Sequence, residues 1–143
     1  MKKITIFAFA VILCFYLFPG AERSASASDE KHPIDAEVER RIEADYTTSS
    51  MLEAIQYGYE EWDKLLNKNY KALMQKMSKE QQEKLRASQR EWIKFRDLEF
   101  DFNKDFFSDM GSLGRVTGLS LISDFVKERA LFLGRYLSEL EPL

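Results

Sequence analysis

The chain has 143 residues, enough for one ordinary domain, with 21 Lys and Arg against 24 Asp and Glu. That near-balance argues against a general nucleic-acid binder, which carries a basic excess to neutralise phosphates, and a single Cys and a single His remove most metal-site and thiol chemistry. Pro occurs only at positions 19, 33 and 142, so the 108 residues from Ile34 to Glu141 contain none, a run that long helices require and a β-rich domain rarely shows.

Lys2 and Lys3 precede the 15 uncharged residues Ile4 to Phe18, followed by Pro19-Gly20 and Ser24-Ala25-Ser26-Ala27-Ser28. This is the pattern of a secretory signal with its cut site at Ala25-Ser26-Ala27, and the run is shorter than the roughly 20 residues of a membrane helix. Cys14 follows Leu13, where a lipidated Cys would have a small residue. Residues 1–27 are therefore expected to be an address and residues 28–143 a single exported domain, periplasmic or extracellular, with no stable membrane insertion after cleavage. Cleavage leaves 116 residues with 18 basic minus 23 acidic groups, a net charge of −5, and no cysteine.

Pro33 suits the first turn of a helix, with Asp35 and Glu37 near its positive end, and predicts a short helix to about Ala44. Asp45 to Ser49 breaks the pattern. Ser50-Met51-Leu52-Glu53 has the spacing of a capping box. Behind it Leu52, Ile55, Tyr59, Trp62, Leu66, Tyr70, Leu73 and Met77 form one apolar stripe, opposite a charged face of Glu60, Glu61, Lys64, Lys68, Lys71 and Lys76. Ser78-Lys79-Glu80-Gln81 is a second capping box, and Leu85, Trp92, Phe95, Phe102 and Phe106 continue an apolar face to about Phe107. Two long helices joined at Ser78 must lie antiparallel. Ser108 to Gly118, with Gly111, Gly114 and Gly118, reads as a loop, after which Leu119, Ile122, Phe125, Val126, Arg129, Leu133, Tyr136, Leu137 and Leu140 describe a last helix ending before Pro142. The expected fold is an all-α bundle: a long antiparallel hairpin completed by a C-terminal helix and a short N-terminal one.

His32 lies in a short polar lead and reads as a solvated residue, since a fraying segment cannot orient a general base. The glycines of residues 111–118 lack the strand and the Lys-Ser or Lys-Thr pair of a phosphate loop. Carboxylates are plentiful, but glycosidase chemistry needs two facing each other across a cleft, which a thin hairpin does not make, so a hydrolase ranks lowest. The informative feature is polar groups within apolar stripes. Asp63, Asn67 and Tyr70 share one side of the second helix, and Gln89, Trp92 and Arg96 one side of the third, with Asp97 adjacent. Pairing about Ser78 levels residues whose numbers sum to about 156, which places Asp63 about one turn from Arg96 and Asn67 opposite Gln89. The expected role is a register-setting network, with a ligand groove as the alternative; Arg129 of the last helix completes the set. Phe95, Phe100, Phe102, Phe106 and Phe107 are too many for one stripe to bury. That helix end is therefore either sandwiched between helices or partly a binding patch.

At these residues the sequence resembles the LprI-like secreted domain family, named for a lysozyme inhibitor. The resemblance runs from His32-Pro33-Ile34-Asp35 to the final helix. Its carriers are Met51, Tyr59, Trp62-Asp63-Lys64, Leu66-Asn67, Tyr70, Leu73, Gln82, Leu85, Ser88-Gln89, Trp92, Phe95-Arg96-Asp97, Glu99-Phe100 and Lys127-Glu128-Arg129, with the run Gln89 to Asp97 the most specific. It implies an exported helical domain with no catalytic residues and no cofactor. Members of that family often carry a Cys pair whose matching positions here are Arg41 and Ala54. The resemblance thus implies that a whole disulfide is lost and that the first helix is held less firmly.

Two functional expectations follow. One is an exported, non-catalytic binding protein with a protein partner, an inhibitor of lysozyme-type glycan hydrolases; the acidic charge favours encounter with such basic enzymes, and the 108–118 loop, with Asp109, Leu113 and Arg115, is the candidate to occlude their sugar cleft. The other is a cell-envelope interaction module whose polar network holds its shape.

Overall fold

The computed structural model describes residues 31–140; the expected signal segment lies outside them. Four helices follow one another, α1 (Pro33–Ala44), α2 (Thr48–Lys76), α3 (Lys79–Phe106) and α4 (Gly111–Glu139), and the described residues contain no strand. The all-α bundle expected from the long Pro-free run is what the chain forms.

The starts of α1, α2 and α3 each have a side-chain cap. His32 caps α1: its Nδ1 accepts the Ile34 N–H at 3.2 Å, and Pro33 occupies the first turn, where a missing N–H costs nothing. The ring also lies 4.4 Å from that of Trp62, so His32 is a half-buried anchor and not the solvated residue its polar neighbours suggest. At α2 the Ser50–Glu53 box is not the cap. Thr47 caps instead, accepting the Ser50 N–H, because the Asp45 carboxylate takes the Ser50 hydroxyl at 2.6 Å and the Thr47 N–H at 2.9 Å. Those bonds hold the Asp45 carboxyl below its usual range, with the Ser50 bond the larger cause. The second box forms as its spacing predicts, with Ser78 and Gln81 satisfying each other's backbone N–H groups.

Of the segment from residue 108 to 118, only residues 108–110 lie in a turn, and the rest is helix. α4 begins at Gly111, whose φ of +58° is backbone that L side chains rarely adopt. Gly114 and Gly118 are buried inside the helix. They mark a close approach: a Cβ on Gly114 would stand 2.6 Å from the Phe107 carbonyl oxygen, and one on Gly118 2.8 Å from Asn103 Oδ1. Glycine here lets the end of α3 and the start of α4 touch, so the residues that read as flexible punctuation are packing positions.

Side chains set which helices lie closest. Trp62, Leu66 and Leu73 of α2 and Val126, Ala130 and Leu133 of α4 form the buried core. Small residues line this seam: a Cβ on Gly58 would lie 3.7 Å from Ser123 Oγ, and Asn69 Nδ2, which donates to the Ala130 carbonyl at 2.9 Å, lies 3.2 Å from where a Gly134 Cβ would be. Residue numbers rise together along the seam, so α2 and α4 run parallel. α3 returns antiparallel to both, presenting the bulky Leu85, Trp92 and Phe100, which pack partly buried against the core. The expected α2–α3 hairpin thus exists in direction and register, with Gln82 Nε2 donating to the Met74 and Met77 carbonyls and the Tyr59 and Phe100 rings 6.3 Å apart. The tightest pairing, however, is α2 with α4. α1 lies antiparallel on α2 without burying any residue completely. It is held by His32 on Trp62, by Val38 over Gly58, and by the Lys127–Asp35 ion pair at 2.6 Å.

Candidate functional site

Three places in this frame gather the residues singled out from sequence. The first is the polar set between α2, α3 and α4. Gln89, only 9% exposed, offers its Oε1 to Arg129 Nε at 3.1 Å and Nη2 at 2.9 Å, while Ser88 Oγ accepts a third bond at 3.3 Å. The guanidinium lies 5.7 Å from the Trp92 ring and 5.8 Å from Phe132. It forms no ion pair among the described residues, and burial pushes its pKa down, with Tyr136 pulling the other way. This is a neutral-to-cation lock between α3 and α4, formed by a residue 40 positions away.

The expected contact of Asp63 with Arg96 is not made. Arg96 turns to its neighbour Asp97, donating from Nε at 2.9 Å and Nη2 at 2.6 Å, and lies 5.6 Å from both the Trp92 and Phe100 rings. Asp63 is satisfied within α2, where Asn67 Nδ2 donates to its carbonyl at 2.8 Å and to Oδ2 at 3.0 Å. The two α2 residues sit toward the outer side of the stripe because α4, not α3, occupies its centre. Asn67 and Tyr70 do share a hollow of about 340 Å³ with Gln89, at the level the pairing about Ser78 predicts.

The second place is the α3–α4 junction. Asp109 is exposed in the connecting turn, and Leu113, 74% exposed, and Arg115 stand on the first turns of α4. Leu113 and Arg115 project from a helix and not from a loop. A rigid first turn can still present a contact, but it cannot reach into a cleft as a long loop does.

The third place was only half legible. α3 carries two apolar stripes. One turns inward through Leu85, Trp92 and Phe100; the other, Phe95, Leu98, Phe102 and Phe106, stays exposed. Its C-terminal part, Phe102 and Phe106, makes with α4 a groove of about 360 Å³, within the size range of small-ligand clefts, about 300–1,000 Å³. Phe100, Phe125 and Ile122 line its depth, and Phe125 meets Phe95 and Phe100 edge to face at 5.4 and 6.4 Å. Glu99, Asp124 and Glu128 also line it, together with no Lys or Arg. The excess of Phe marked the α3 side; Leu121, Asp124 and Glu128, at helical spacing on α4, were the unused signal for the other wall.

Among the described residues no group of three or more His, Cys, Asp or Glu is placed to hold a metal ion, and no helix is long and apolar enough to cross a membrane. Compared with protein families, residues 40–133 match the lysozyme inhibitor LprI family. The chain belongs to the LprI family. The matched LprI span begins in the last turns of α1 and ends near the close of α4, so it contains the Arg129–Gln89 lock, the glycine junction and the acidic groove. No curated protein and no solved structure matches the chain.

Proposed function

We propose that this LprI-family chain is an exported, non-catalytic binding protein that inhibits a lysozyme-type glycan hydrolase. The observation that carries the reading is the family match over residues 40–133, and the family's name is that of an inhibitor. The physical setting supports it. Residues 28–143 carry a net charge of −5, complementary to a basic hydrolase, and complementary charge raises encounter rates. The bundle also offers exposed apolar surface beside its carboxylates, the composition of a protein-docking face.

Cleavage of a glycan by a basic lysozyme, measured with and without the purified exported protein at micromolar concentration and low salt, tests the reading. Inhibition that weakens as salt rises is expected; unchanged lysozyme activity refutes it. The envelope-module alternative is favoured by one observation, the half-buried Arg129–Gln89 lock, whose closed geometry suits a group that holds shape. That alternative predicts a partner recovered from the envelope and no inhibition.

A further inference from the structure

We infer that the groove between the C-terminal half of α3 and the middle of α4 is a docking site for a basic protein segment carrying an aromatic or aliphatic side chain beside its cations. Apolarity and charge select this occupant together. Phe102, Phe106 and Leu121 line the groove while 62%, 55% and 50% exposed, a contiguous apolar surface of the kind that marks an interaction site. Glu99, Asp124 and Glu128 line the same groove, and none forms an ion pair among the described residues. Glu37, Glu61, Glu80, Glu83 and Glu91, by comparison, are each paired with a cation on their own helix. Carboxylates without a cation partner beside an apolar floor favour a ligand that brings one, and a segment with Lys or Arg flanking a large apolar side chain satisfies both halves of the groove.

The same charge excludes the other candidates. Two copies meeting through this face about a twofold axis would bring identical acidic rims together, and an anionic lipid surface or a nucleic acid would be repelled. The inference deepens the inhibitor reading by naming the surface and the chemistry of the partner, yet the two fail separately.

The test uses the exported protein, a short synthetic peptide alternating Lys and Leu, its Glu–Leu counterpart, and a basic lysozyme. The protein is expected to bind the Lys–Leu peptide and not the Glu–Leu one. The triple substitution Glu99→Gln, Asp124→Asn, Glu128→Gln is expected to slow association roughly tenfold and flatten its salt dependence, as removal of rim charges does. Leu121→Ser is expected to speed dissociation instead. Unchanged circular dichroism and Tm in both variants exclude unfolding as the cause, and the residues' exposure makes that the expected result. Absence of Lys–Leu binding, equal binding by the triple variant, or a dimer that Leu121→Ser disperses would overturn the inference. Lysozyme inhibited equally by wild type and triple variant sinks the groove and spares the inhibitor reading. Groove-dependent peptide binding with lysozyme unaffected does the reverse.

Discussion

Removing Arg129 should cost more stability than removing Arg96, although both are arginines beside Trp92. In Arg129→Ala the buried Gln89 Oε1 loses both of its donors, and a buried acceptor left unsatisfied costs about 1–3 kcal/mol. The cation over the Trp92 and Phe132 rings adds about 0.5–1 kcal/mol. A loss of about 3 kcal/mol in a domain of this size lowers Tm by roughly 12 °C. Arg96 is hydrogen-bonded only to the adjacent, exposed Asp97, a pair worth about 0–1 kcal/mol, and its place over the Trp92 and Phe100 rings adds about 0.5–1 kcal/mol, so Arg96→Ala should lower Tm by no more than about 8 °C. The informative third variant is Gln89→Leu with Arg129→Met. It removes the donor and the acceptor together and should return to within about 1 kcal/mol of wild type, since no polar group is then orphaned. Thermal and urea unfolding of the four proteins decides the matter. If Arg96→Ala falls as far as Arg129→Ala, or the apolar pair is as unstable as Arg129→Ala alone, the lock does not hold α3 to α4 as described.

Gly114→Ala should destabilise by up to about 2 kcal/mol, because overpacking of about 1–3 kcal/mol exceeds the roughly 1 kcal/mol gained in helix propensity; a raised Tm or a raised urea midpoint would mean the α3–α4 junction is open after all. The Glu37 carboxyl is lowered from 4.5 to about 2, chiefly by hydrogen bonds from Arg40 and Arg41. Its contribution to α1 is therefore complete above about pH 4.5 and is lost as the pH falls toward about 2; amide exchange in α1 should show that loss in wild type and not in Glu37→Gln, and an α1 transition of equal size in both would refute the assignment. The antiparallel α1–α2 pairing levels Arg41 with Ala54, as it does Val38 with Gly58. Arg41→Cys with Ala54→Cys should therefore close a disulfide on oxidation and add about 3 kcal/mol, whereas two thiols that stay free would contradict that register.

The first three helices were legible because each has a local cause: Pro33 in a first turn, the stripe from Leu52 to Met77, the reciprocal Ser78–Gln81 cap. What failed locally failed by competition. Ser50 and Glu53 have capping spacing, but Asp45, five residues before Ser50, takes the hydroxyl first. The partnerships between helices were harder to read, because spacing along one helix says which residues share a face and not which neighbour that face meets. Levels about Ser78 were right, as Tyr59 and Phe100 show, yet Arg96 went to Asp97 because α4 had already filled the centre of the α2 stripe. Gly114 and Gly118 illustrate the deepest ambiguity. Glycine breaks an isolated helix and admits a close neighbour in a packed one, and only the bundle decides which. The acidic groove was half legible for the same reason: surplus Phe is a property of α3 alone, whereas the rim needs α4 beside it.

The parallel seam of α2 and α4 has a consequence for how the chain reaches its native state. Asn69 bonds to a carbonyl 61 residues further on, and α3 must be traversed before the partners of Trp62, Leu66 and Leu73 exist. Non-local pairing of this kind raises contact order and slows folding relative to bundles whose successive helices zip together. A chain emerging from its amino end therefore presents the apolar side of α2 with only the looser contact of α3 to cover it. That interval, closed when Val126, Ala130 and Leu133 arrive, is when the chain is most exposed to aggregation and most in need of a chaperone.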